Sequence, residues 1–208
     1  MYLHEIQSVI QTLDSIIYPL GKCEVNIYES VMQTYYHEAT YSWGVAFPDP
    51  NNHRFTILVD TSAVLETQDV IHELIHNYIN EYLPKDSTSL FFAESLTEYL
   101  AVCLKYKDVH VRDSVFNRKF MESCFKGLGK YSVLRPSEYQ NQLGEYSHTP
   151  FKIHVFAQII GEDKFISLLG VFYRESRKNN GMSFDLFEKI CKQYGITDEQ
   201  WNWFKKTL

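Results

Sequence analysis

Two imidazoles and a carboxylate stand within five residues of one another in a stretch that is otherwise apolar, Val70-Ile-His-Glu-Leu-Ile-His-Asn-Tyr-Ile79. No other segment constrains the chain as much, because His and Glu side chains inside an apolar helix are costly to bury unless they are paired or hold a metal. At about 100° per residue, His72 and His76 lie roughly 40° apart around a helix axis and point at one position from successive turns. Glu73 falls beside them. This is an HExxH pattern, in which two imidazole nitrogens suit Zn²⁺ and the adjacent carboxylate can serve as general base toward a water molecule. A plain solvated helix face is the competing reading. It fits poorly, since Val70, Ile71, Leu74, Ile75, Tyr78 and Ile79 crowd the same turns and make the helix apolar over most of its circumference.

The chain is long enough to bury a full core around such a helix: 208 residues, 45% hydrophobic, with 15 Tyr and 14 Phe. One domain over residues 1–208 is expected, with approximate lobes 1–65 and 66–208. A net charge of −6 leaves no basic surplus for phosphate, which argues against a nucleic-acid partner. Met1 to Leu20 carries His4, Glu5 and Asp14, unlike a signal-peptide core, and no 18-residue apolar run occurs. The chain as given therefore reads as soluble and cytoplasmic without a membrane span, or as an exported protein whose signal has been removed. The four cysteines, Cys23, Cys103, Cys124 and Cys191, form no CxxC pair and imply no dense disulfide framework.

Apolar spacing changes along the chain. Leu3, Ile6, Val9, Ile10, Leu13, Ile16 and Ile17 predict an amphipathic helix over 3–19. Short β-prone runs follow at Glu24 to Tyr28, Ala39 to Phe47 and Phe55 to Val59, the last two joined by the turn-forming Pro48-Asp-Pro-Asn-Asn52. From about Thr67 nearly everything reads as helix. The motif helix must end near Leu83 because Pro84 follows, and Asp86 to Ser89 offer caps for a second long helix through about Tyr106. Further helices are expected at 111–126, 149–160, 162–177, 183–194 and 197–206. A small sheet followed by a helical half predicts an α+β fold with the site in a cleft between the lobes.

Two histidines do not complete a protein zinc site. Glu94 is the best candidate for a third ligand: it lies 18 residues after His76 in Leu90-Phe-Phe-Ala-Glu-Ser-Leu-Thr-Glu-Tyr-Leu100, on the predicted second helix. Glu98 follows one turn later on the same helical face. There it can accept the free N–H of a ligand imidazole and fix its tautomer, or it can be an ordinary helix residue.

His72-Glu-Leu-Ile-His76 followed by Glu94-Ser-Leu-Thr-Glu-Tyr99 resembles the gluzincin zinc metallopeptidases, especially the catalytic domain of the M1 aminopeptidase family. The spacer is one residue shorter than in that family, and Ser95 stands in place of the usual glycine. Neither change removes a ligand. Glu145-Tyr-Ser-His-Thr-Pro-Phe-Lys152 and Ile159-Ile-Gly-Glu-Asp-Lys-Phe165 are similar to the family's segment in which a tyrosine precedes a helix and a Gly-Glu-x-x-Phe turn. By that likeness Tyr146 takes the position of the tyrosine that stabilises the tetrahedral oxyanion, and His148, where lysine is usual, is a possible alternative donor. Phe184 to Trp203 looks like the family's helical tail, with Trp203 and Phe204 packing inward. The family's Gly-x-Met-Glu-Asn strand, which binds a free amine, is not found ahead of the motif helix.

The resemblance implies a thermolysin-like zincin domain, a small N-terminal sheet lobe followed by a mainly helical lobe with the zinc site between them. It implies one zinc ion on His72, His76 and Glu94, with Glu73 as general base, and a peptide or protein substrate hydrolysed through a zinc-activated water. Two alternatives keep the same ligands: a zinc-binding interaction module without turnover, and a zinc hydrolase acting on a non-peptide amide or ester.

Overall fold

The computed structural model describes residues 2–19, 24–30, 44–49, 54–60, 67–86, 88–125 and 144–208. The chain forms two compact units, Met1–Tyr78 and Ile79–Leu208.

The first unit opens with α1 (Tyr2–Ile16), in which Ile6, Val9 and Leu13, together with the following Ile17, are buried. Their spacing of three and four residues makes one apolar stripe. Three strands follow, β1 (Glu24–Ser30), β2 (Gly44–Asp49) and β3 (Arg54–Asp60), in the order β1-β3-β2. Central β3 runs parallel to β1, with Val25 opposite Phe55, and antiparallel to β2, with Ala46 opposite Ile57. Pro48 lies on β2, at the edge of the sheet, where a missing N–H is tolerated. The first part of the expected Ala39–Phe47 strand and the tip of the expected turn fall outside the described residues.

The motif helix, α2 (Thr67–Ile79), is tied to α1 through Tyr78. The Tyr78 phenol donates to Asp14 Oδ1 at 2.8 Å, the Tyr18 phenol donates to the Tyr78 carbonyl at 3.0 Å, and the two rings meet edge to face. After α2 the chain tightens into a 3₁₀ turn, Asn80–Tyr82, and Leu83 is extended (ψ 139°), as a residue before proline requires.

In the second unit a π-helical turn, Phe91–Ser95, leads into α3 (Leu96–Lys105). Then come α4 (Val109–Phe125), a second π-turn (Gly144–His148) that runs into α5 (Thr149–Ile160), and the helices α6 (Glu162–Lys178), α7 (Phe184–Gln193) and α8 (Asp198–Thr207). Ser183 caps α7 by accepting from the Leu186 N–H. Thr197 and Gln200 form a reciprocal capping box at the start of α8. The core of this unit is aromatic. Phe91 and Phe92 pack against Phe184 and Phe187, Phe92 stacks on Phe172, and Phe156 stacks on Phe204 at 4.2 Å. Phe204 is fully buried as expected, but Trp201 joins it inside, and Trp203 is 39% exposed.

The expected class, an α+β zincin fold with an N-terminal sheet lobe, is corrected. The residues placed with their side chains are 84% helical and include no strand. The physical reason lies in where apolar surface is buried among the side chains described: those of the core lie mainly on helices, from Ile6, Val9 and Leu13 on α1 to Phe204 on α8. The three strands pair through their backbones as a small sheet. No helix among the described residues is long and apolar enough to cross a membrane. Cys103, Cys124 and Cys191 are free thiols, and burial pushes the pKa values of Cys103 and Cys191 up to about 12, as befits unreactive thiols. Cys23 lies outside the described residues.

Gly161 joins α5 to α6 at φ 96° and ψ 120°, a conformation reserved for glycine. Gly161→Ala is therefore expected to lower stability by about 1–3 kcal/mol in denaturant unfolding, although the added methyl meets nothing closer than Lys164 Cβ at 3.9 Å.

Candidate metal centre

The motif helix is buried on nearly every side. Val70, Ile71, Leu74, Ile75, Tyr78 and Ile79 are at most 2% exposed, and the polar residues among them fare little differently: His72 is 5% exposed, Glu73 and His76 8% each. One ligand atom from each of these three residues can be chosen so that all lie within 4.8 Å of one another. The imidazole rings stand edge to face with centroids 4.8 Å apart. A tetrahedral zinc with bonds near 2.0–2.1 Å has donors about 3.3 Å apart, so the His72 and His76 nitrogens have the chemistry and proximity to share one ion, with the Glu73 carboxylate beside it. The donor set thus fits a zinc ion. The cluster also takes part in salt bridges, which offset the cost of its burial without an ion.

Glu94 and Tyr146 belong to the second unit, and the structure brings them together there. The Tyr146 phenol donates to Glu94 Oε2 at 2.6 Å, within the range of a hydrogen bond to a charged carboxylate. Each residue sits in a π-turn, Glu94 in Phe91–Ser95 and Tyr146 in Gly144–His148. The sequence indicates neither turn. A π-turn closes i→i+5 bonds and so shifts the angular phase of the residues before it relative to the helix after it. Glu94 and Glu98 are therefore not related by the simple one-turn step expected from a continuous helix. Glu98, 4% exposed, accepts an ion pair from Lys119 on α4 at 2.8 Å.

His148 is also buried, 3% exposed. Its Nδ1 lies 3.3 Å from the Ser123 hydroxyl, and its ring lies against Phe120 with centroids 5.0 Å apart. Ser123 in turn donates to the Phe120 carbonyl at 2.7 Å. Burial, with the nearby Lys152 charge adding to it, lowers the His148 pKa from 6.5 to about 4. His154 is held by Asp113 at 2.8 Å and stacks on Phe116, a structural role. Lys119 and Ser123, which meet Glu98 and His148, were not indicated by the sequence. They lie four residues apart on one face of α4, a spacing that carries a signal only once the helix is seen to pack there.

The folded chain keeps His148 neutral while the unfolded chain protonates it near 6.5, so its contribution to stability is complete above that pH and is lost as the pH falls from about 6.5 to about 4. In urea unfolding across this window, the loss of stability is expected to be smaller for His148→Gln than for the native chain. Parallel curves for the two proteins would mean that His148 titrates normally.

Comparison with protein-family models, with curated proteins and with solved structures found no match to this chain.

Proposed function

We propose that the protein is a zinc-dependent hydrolase of the gluzincin type that cleaves peptide bonds. The observation that carries this reading is the buried His72-Glu73-His76 cluster, whose ligand atoms lie within 4.8 Å of one another on one apolar helix. Such a set is expensive to keep in a core, and a metal ion offsets that cost. His72 and His76 would hold the ion by ring nitrogens, with Glu94 as third protein ligand by its position in the motif. Bound there, zinc would supply a Lewis acid that acidifies water and polarises a carbonyl oxygen.

Glu73 supplies the rest of the chemistry. Its carboxylate takes the proton from the attacking water and delivers it to the leaving amine as the C–N bond breaks. Burial of the helix around it excludes bulk water from the proton path and strengthens the interaction of carboxylate and imidazoles with developing charge. A residue with only a structural role beside a metal would not need to be an acid.

Purified protein analysed for metal is expected to hold one zinc ion, and His72→Ala or His76→Ala to hold none. A peptide-library digest should be cleaved by the native chain and lose at least about 100-fold in rate with Glu73→Gln, which keeps the ligands and removes the base. Undiminished peptide cleavage by Glu73→Gln would end the catalytic reading. Zinc binding by the native chain with no turnover of peptides, esters or other amides would leave a metal-stabilised module in its place, recognisable by unfolding when the metal is chelated.

A further inference from the structure

Among the described residues, the motif helix holds one buried side-chain oxygen that no hydrogen bond satisfies. Asn77, 8% exposed, follows His76 directly on α2, and its Oδ1 has no hydrogen-bond partner. The other end of the amide is placed: Nδ2 donates to the Glu73 carbonyl, one turn earlier, at 3.4 Å. That bond lays the side chain back over the turn that bears Glu73, and because the nitrogen faces the helix backbone, the oxygen is the end left over. At about 100° per residue, His72, His76, Glu73 and Asn77 follow one another around the helix at roughly 0°, 40°, 100° and 140°. Asn77 therefore flanks Glu73 on the side away from the histidines. Glu73, His76 and Asn77 are equally enclosed, 8% exposed each, so whatever admits a substrate to the carboxylate admits it to the amide beside it.

We infer that Asn77 binds the scissile N–H of the substrate through Oδ1, and so makes the site selective for a bond whose leaving atom is a nitrogen bearing hydrogen. The inference rests on the proposed function, in which Glu73 passes the proton taken from water to the leaving amine. When water adds to the carbonyl carbon, the amide nitrogen becomes pyramidal, and its electron pair must face Glu73 to receive that proton; the C–N bond then breaks and an amine departs. The hydrogen already on that nitrogen points elsewhere and needs an acceptor. An asparagine oxygen offers two lone pairs and no charge to compete with Glu73 for the proton. A buried acceptor without a donor is costly, and a substrate N–H relieves that cost, whereas an ester oxygen, which carries no hydrogen, does not.

The test compares kcat/KM for a peptide that the native chain cleaves with that for its depsipeptide, in which the scissile N–H is replaced by oxygen. Native protein, Asn77→Ala and the similarly sized Asn77→Leu are measured, each checked by circular dichroism and for zinc content, so that either variant serves if the other does not fold. Against the peptide, a variant is expected to lose about tenfold, the worth of one hydrogen bond. Against the depsipeptide it is expected to stay within about twofold of native, with its zinc retained. An unchanged peptide rate would overturn the inference, and so would an equal loss on both substrates, because Asn77 would then support the shape of the site and not bind the N–H. Loss of zinc from a folded variant would overturn it in the same way. If the native chain cleaves no peptide, or if Glu73→Gln cleaves as fast as native, it is the underlying hydrolase reading that fails, and the inference with it.

Discussion

Burial of His72, Glu73 and His76 on an apolar helix is the constraint around which the first unit is organised. Each is at most 8% exposed, in a helix whose apolar residues are almost wholly enclosed. A charged or strongly polar group in that setting costs several kcal/mol unless something compensates. Ion pairs do part of this, and zinc is the ligand that the donor types and their proximity suit best. The helix itself is held by apolar packing and by Tyr78, whose hydroxyl and carbonyl both take part in bonds to α1 or its C-terminal extension.

The second unit solves a different problem. Its core is a continuous set of aromatic rings from α3, α5, α6, α7 and α8 and the first π-turn, offset or edge to face as their quadrupoles favour. Packing of that density fixes backbone positions closely. It leaves the two π-turns as places where register is adjusted locally, and it is there that Glu94 and Tyr146 meet. Glu98 on α3 and Lys119 on α4 form an ion pair that braces the same region.

What could be read in the sequence follows from periodicity. The motif helix was legible because His72 and His76 are four apart amid apolar residues, and its end because Pro84 forces Leu83 out of helical geometry. Helices α5 to α8 lie within two residues of their expected bounds. Trp201 and Phe204 are three apart and share a face, whereas Trp203 falls roughly 200° from Trp201 and turns outward, so the inward placement of Trp203 ran against the helical period. The π-turns were not legible, because an i→i+5 turn has no residue signature. Nor were Lys119 and Ser123, whose partners lie at sequence separations that no local pattern encodes. The sheet was legible as three β-prone runs, but their presence said nothing about how much of the described chain would be helical.

The account turns on a zinc ion held by imidazole nitrogen and carboxylate oxygen. X-ray absorption at the zinc edge of the zinc-loaded protein reads that ligand set directly. Only nitrogen and oxygen donors near 2.0–2.2 Å are expected, with the multiple-scattering signature of two imidazoles, and no bound zinc in His76→Ala. A sulfur shell near 2.3 Å, or an unchanged spectrum in His76→Ala, would contradict it by placing the metal on other residues.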